Sequence, residues 1–271
     1  MTARKVDLGD GRKLRVLESG AGKPLVLLHG WPTNADAWSG QLTNLAGHRV
    51  VALDLPGFGA STPLVEPTVA DIARSVRDFL ELDGIDDAVL VGWSMGGLTV
   101  LSYCEQFGGE RLRGIGIVDV SPRLLPGPGW VLGEGTPFSP EGIESWSRLW
   151  EDDRRAVVTD VYTIGLHDLE THLAQRERLV EESLKADPAT AMVALLDAFA
   201  QDYRGVLPSI DVPALLLYGA HSTSTTPFVR DFMARELRDA TLVVFEDSSH
   251  CLMVEQPELF NQAVDEFASR I

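Results

Sequence analysis

Ser94, His250 and the backbone N–H groups of Trp31 and Met95 are the groups in this chain that could together perform nucleophilic acyl transfer. Ser94 stands in Gly92-Trp93-Ser94-Met95-Gly96-Gly97, between an apolar run and a helical one. A G-x-S-x-G sequence in that context is a nucleophile elbow: a sharp turn that needs small residues two before and two after the serine. Gly92 and Gly96 meet that need, and Gly97 allows close approach of the helix. The turn lifts the hydroxyl clear of the sheet and aims a helix N-terminus at the reacting carbon. The bland alternative is a glycine-rich turn with an idle serine. A developing oxyanion needs two N–H donors. The residue after the serine, Met95, supplies one, and Trp31 in His29-Gly30-Trp31-Pro32 supplies the other. A general base is expected in a late loop, where His250 follows Asp247-Ser248-Ser249. His48, His167 and His172 read as ordinary surface or packing histidines, and His221 is the serious rival.

The elements that must position these groups follow from the pattern of apolar runs. A hairpin is expected over 4–8 and 13–17, turning at Gly9-Asp10-Gly11. Short apolar runs at 24–29, 50–54, 88–93 and 114–119 suit strands buried on both faces. Helical stretches at 69–82 and 95–107 separate them, so the fold class is α/β, with a parallel or mixed sheet between helices. Alternation stops after Pro122. Residues 124–140 are rich in Gly and Pro, and 141–203 read as helical. Strands resume at 212–218 and 241–245, and 257–271 form a last amphipathic helix. The expected organisation is a core of residues 1–122 and 206–271 with a helical cap at 123–205.

Composition sets further bounds. The 271 residues allow a sizeable core, and a net charge of −17 repels phosphate backbones and anionic lipids. A small-molecule partner is therefore expected, and neither nucleic acid nor membrane. The two cysteines, Cys104 and Cys251, have no metal or disulfide spacing. With no apolar leader and no run of 18 apolar residues, a cytoplasmic setting is the simplest expectation.

The chain resembles the α/β-hydrolase fold superfamily, in its serine esterase, cofactor-free haloperoxidase (perhydrolase) and dehalogenase branch. The matching residues are His29-Gly30-Trp31-Pro32, Asp54-Leu55-Pro56-Gly57-Phe58-Gly59-Ala60-Ser61, the elbow around Ser94, and His250 with Glu255-Gln256-Pro257-Glu258 behind it. The resemblance implies a mostly parallel eight-stranded sheet flanked by helices. It makes Asp54 structural, and Ser94 in place of an elbow aspartate disfavours alkyl-enzyme ester chemistry. It also exposes a gap. Many members carry an acid after the strand matched here by 212–218, where this chain has Ser222 in the stretch YGAHSTSTTP. Serine cannot hold an imidazolium by charge. Other members place the acid after the preceding strand, which here ends in Asp119; Asp247 is the reserve. Ser222 is expected to hydrogen-bond near the histidine.

The implied activity is hydrolysis of a carboxylic ester, lactone or thioester through an acyl-enzyme on Ser94, with His250 as base, Asp119 as orienting acid and no cofactor. Perhydrolase or C–C bond hydrolase chemistry would use the same triad, and a low-turnover ligand sensor is the alternative from another class. The cap and its entry loop carry Trp130, Trp146, Trp150, Tyr162, Phe199 and Tyr203, and Trp31 and Trp93 flank the reacting centre in sequence; such aromatics are candidates for shaping an apolar site, although an aromatic on a helical insertion also serves as core. The run Glu151-Asp152-Asp153 reads as a solvated helix face.

Overall fold

Burial decides the architecture. In a computed structural model, which describes residues 1–9, 11–65, 67–130 and 140–271, the apolar runs form an eight-stranded sheet. In chain order the strands are β1 (Thr2–Asp7), β2 (Lys13–Gly20), β3 (Lys23–Leu28), β4 (His48–Leu53), β5 (Ala88–Trp93), β6 (Leu112–Val118), β7 (Ala214–Gly219) and β8 (Ala240–Phe245). Their spatial order is β1-β2-β4-β3-β5-β6-β7-β8. β2 is antiparallel to both neighbours, and the pairs from β4 onward are parallel. Every residue of β5 and β7 is buried, as strands covered on both faces must be. The expected hairpin is present, with Asp7 opposite Lys13; Asp10 of its turn lies outside the described residues, as do 131–139 of the Gly- and Pro-rich stretch.

The helices are α1 (Ser39–Asn44), α2 (Val69–Leu82), α3 (Met95–Phe107), α4 (Pro140–Asp152), α5 (Arg154–Ile164), α6 (Leu173–Ser183), α7 (Pro188–Ala200), α8 (Pro227–Glu236), α9 (Leu252–Glu255) and α10 (Pro257–Arg270). Local chemistry starts several of them. Thr68 and Asp71 form a capping box on α2, Asp187 caps α7 ahead of Pro188, and Thr226 caps α8 ahead of Pro227. α4 to α7 lie in the chain between β6 and β7, where only helical pattern was expected.

The strand order brings the chemistry-bearing loops together. From β3 the chain passes to β4 on one side and then to β5 on the other. The loops leaving β3 and β5 therefore diverge at a switch point, where open α/β sheets hold ligands. Leu28 is in register with Gly92, so His29-Gly30-Trp31 and Ser94 leave adjoining strands. Trp93 is in register with Val118, and Val118 with Leu217, which sets the ends of β6 and β7 beside the elbow. The elbow itself is tightly enclosed. A Cβ on Gly92 would lie 2.1 Å from Gly96 O, and one on Gly96 would lie 2.4 Å from Leu28 O. Both obstacles are backbone, which cannot swing aside.

His29 and Asp54 tie the two loops on the β3–β4 side. His29 is fully buried; its Nε2 accepts from the Leu55 N–H at 3.0 Å, so its Nδ1 carries the proton and donates to Gly30 O at 2.9 Å. Buried Asp54 accepts from the Ala35 and Ala60 N–H groups and from Arg15, the structural part expected of it, while burial raises its pKa.

Two outcomes follow. Gly96→Ala is expected to cost about 3 kcal/mol in urea unfolding, since an added methyl meets immovable carbonyls; an unchanged midpoint would contradict the packing described. Burial pushes the His29 imidazole from 6.5 down to about 4. Between those values the unfolded chain binds the extra proton. The His29 contribution is thus complete above about pH 6.5 and is lost as pH falls toward 4, a change of about 3 kcal/mol. The difference between wild-type and His29→Gln stability curves should show that step; parallel curves would contradict it.

Candidate active site

Ser94 occupies strained backbone. Its φ of 54° is a left-handed value rare for a residue with a Cβ, and such strain costs about 1–3 kcal/mol. The surroundings hold it there. Its N–H donates to Val118 O at 2.9 Å, and its carbonyl accepts from Gly97 and Leu98 as α3 begins. Met95 is the first residue of α3, where N–H groups have no acceptor within the helix. Trp31 and Met95 line one cavity with Ser94, Asp119 and His250; its volume is about 70 Å³.

Asp119 follows β6 and is fully buried, also with a positive φ, 45°. Its N–H donates to Leu217 O at 2.9 Å, which anchors it to β7. His250 Nδ1 lies 2.6 Å from Asp119 Oδ2. A carboxylate only accepts, so Nδ1–H is the donor of this bond. The same Oδ2 accepts from Ser222 Oγ at 2.6 Å, and Oδ1 accepts from Thr225 Oγ1 at 2.9 Å. Ser222, which stands where many members carry an acid, thus donates to the carboxylate of the neighbouring strand that His250 also contacts. Ser222 Oγ also accepts from the Ser224 and Thr225 N–H groups.

The His250 loop is held on several sides. Trp93 Nε1 donates to His250 O at 2.8 Å. The His250 and Cys251 N–H groups share Gly165 O, at 3.0 and 3.1 Å. Glu255, its pKa raised by burial, accepts from the Ser249 N–H and the His167 N–H. Asp247 is exposed on the same loop and is not the partner of Nδ1. The rival histidines are engaged elsewhere. His221 is exposed and stacks on His167 with centroids 3.6 Å apart, and His48 pairs with Asp265 at 2.7 Å.

The five tryptophans divide. Trp31 and Trp146 line the cavity. The other three are buried and pack as core. Trp93 lies against His250, with ring centroids 5.3 Å apart. Trp150 stacks behind Trp31 at 5.0 Å and donates to Pro188 O. Trp130 packs on Phe232 at 4.9 Å and donates to Arg123 O. Sequence reasoning missed Thr225, although the hydroxyl run 222–226 marks the place. It also missed the aliphatic wall, including Leu98 and Leu195, because nothing in a helical apolar stripe separates pocket from core.

Among the described residues no cluster of three His, Cys, Asp or Glu is placed to hold a metal ion, and no helix is long and apolar enough to cross a membrane.

Comparison with known proteins bears on the family and the fold. The family model described as "Alpha/beta hydrolase family" matches residues 25–263. A pimeloyl-(acyl-carrier protein) methyl ester esterase of Sodalis glossinidius is 31% identical, over 91% of this chain and 93% of that protein. Non-heme chloroperoxidase CPO-A1 of Kitasatospora aureofaciens is 28% identical, over 96% and 98%. Among solved structures, an esterase from Exiguobacterium antarcticum superposes with a TM-score of 0.92 at 21% identity, covering 99% and 100% of the two chains. A thermophilic esterase from Thermogutta terrifontis gives 0.85 at 26% identity, covering 100% and 99%. With strand order, elbow and sequence match in agreement along the core, the chain belongs to the alpha/beta hydrolase family and is a hydrolytic enzyme of it.

Proposed function

We propose that the chain hydrolyses a carboxylic ester, lactone or thioester by way of an acyl-enzyme on Ser94. The observation that carries this is the 2.6 Å bond between buried Asp119 and His250, in the same cavity as Ser94. His250 Nε2 takes the proton of Ser94 as its oxygen attacks the carbonyl carbon. Asp119 stays ionised and stabilises the imidazolium. The Trp31 and Met95 N–H groups, with the α3 N-terminus, stabilise the oxyanion. The proton passes to the departing alcohol or thiol, and water then repeats the sequence on the acyl-enzyme. The helices of 123–205 act as a cap, since α4, α5 and α7 contribute to the cavity wall. A low-turnover ligand sensor would be favoured by a failed acid, and the Asp119–His250 contact argues against it.

A second reading is favoured by similarity to chloroperoxidases. Hydrogen peroxide attacking the same acyl-enzyme in place of water would release a peracid and regenerate Ser94. Acetate- and peroxide-dependent halogenation tests it.

Turnover of p-nitrophenyl acetate by the wild type and by Asp119→Asn checks the roles. The variant should fall roughly 10³–10⁴-fold in kcat, because an amide no longer fixes the tautomer or balances the charge. Ser222→Ala and Thr225→Val each remove one donor to Asp119 and should lower kcat about tenfold with little change in KM. Equal turnover by wild type and Asp119→Asn would overturn the assignment.

A further inference from the structure

We infer that this site takes acyl substrates that are neutral along their whole length and discriminates strongly against those with a free carboxylate. The inference rests on the hydrolase reading above and narrows it to a substrate class.

The cavity wall carries the argument. Away from Ser94 and His250 it is built from Leu98 of α3, Trp146 of α4, and Leu195, Ala198 and Phe199 of α7. No Lys or Arg lines the cavity among the described residues. Residues 131–139, outside them, contain no Lys or Arg in their sequence, and their one charged residue is Glu134. Among the described residues the one carboxylate in the lining is Asp119, whose oxygens are taken by His250, Ser222 and Thr225. Thr223 and Ser224 add hydroxyls but no countercharge. Arginines of the neighbouring segments are engaged elsewhere: Arg123 pairs with Asp202 at 3.0 Å, and Arg154 donates to Ala186 O and Leu184 O while lying over Trp150.

A carboxylate entering this wall would lose its hydration and find no cation, the most expensive kind of burial. The net charge of −17 adds repulsion on approach, screened beyond about 10 Å at moderate salt. An alkyl end in the same place exchanges water for hydrocarbon and gains about 0.8 kcal/mol per buried CH₂.

Methyl hexanoate and monomethyl adipate test this, because they differ only in a terminal methyl or carboxylate. At pH 8 we expect kcat/KM for methyl hexanoate to exceed that for monomethyl adipate at least 100-fold. At pH 5, near the ordinary carboxylate range, part of the adipate ester becomes neutral and the ratio should shrink severalfold. The ratio is internal to each pH, so titration of the enzyme's own base cancels. A ratio within threefold at pH 8, or one unchanged at pH 5, overturns the inference. Failure of both esters while p-nitrophenyl acetate is hydrolysed also overturns it and leaves the hydrolase reading standing. Failure of all three removes that reading and the inference with it.

Discussion

The hydrogen bond between Asp119 and His250 spans 131 positions of sequence, and much of the fold exists to permit it. A fully buried carboxylate is tolerable only when its oxygens are satisfied. Here an imidazole and two hydroxyls satisfy them, and the two hydroxyls come from a single loop after β7. The parallel order β5-β6-β7-β8 makes this possible. It releases Ser94, Asp119, Ser222 and the His250 loop from the same end of four consecutive strands. Two of these residues, Ser94 and Asp119, have left-handed backbone, so part of the chain's backbone strain is held where groups must be aimed.

The helical segment between β6 and β7 is fastened to the loops that carry the site. Trp31 Nε1 donates to Ala191 O of α7 at 2.8 Å, Asn34 donates to Glu182 O at the end of α6, and the Asp187 N–H reaches Gly57 O. On the other side Gly165 O and Glu255 connect the loop after α5 to the His250 loop. Polar anchors of this kind fix geometry through backbone carbonyls.

Much of this was legible in the sequence, and the limits have physical causes. Strands buried on both faces announce themselves as short apolar runs, and the elbow glycines announce a close approach, confirmed by the carbonyls that a Cβ would strike. Asp119 was legible only by asking what an ionisable residue does at the end of an apolar run, with the resemblance supplying the alternative strand. Thr225 was not legible, because a hydroxyl in a loop has many uses and only the three-dimensional turn aims it at Oδ1. The tryptophans divided for a similar reason. Trp146 and Trp150 stand one turn apart on α4, yet one lines the cavity and the other stacks behind Trp31. Periodicity reports that a residue is inside, not whether it faces a void or a neighbour.

The proposed chemistry depends first on Ser94 being the activated nucleophile. The most direct measurement is the intact mass and peptide map after exposure to a phosphonylating reagent for activated serines, carried out on the wild type, Ser94→Ala and His250→Ala. One adduct per chain is expected, located on Ser94, absent from Ser94→Ala and greatly slowed in His250→Ala. An unmodified wild type, or an adduct on another residue, would contradict it.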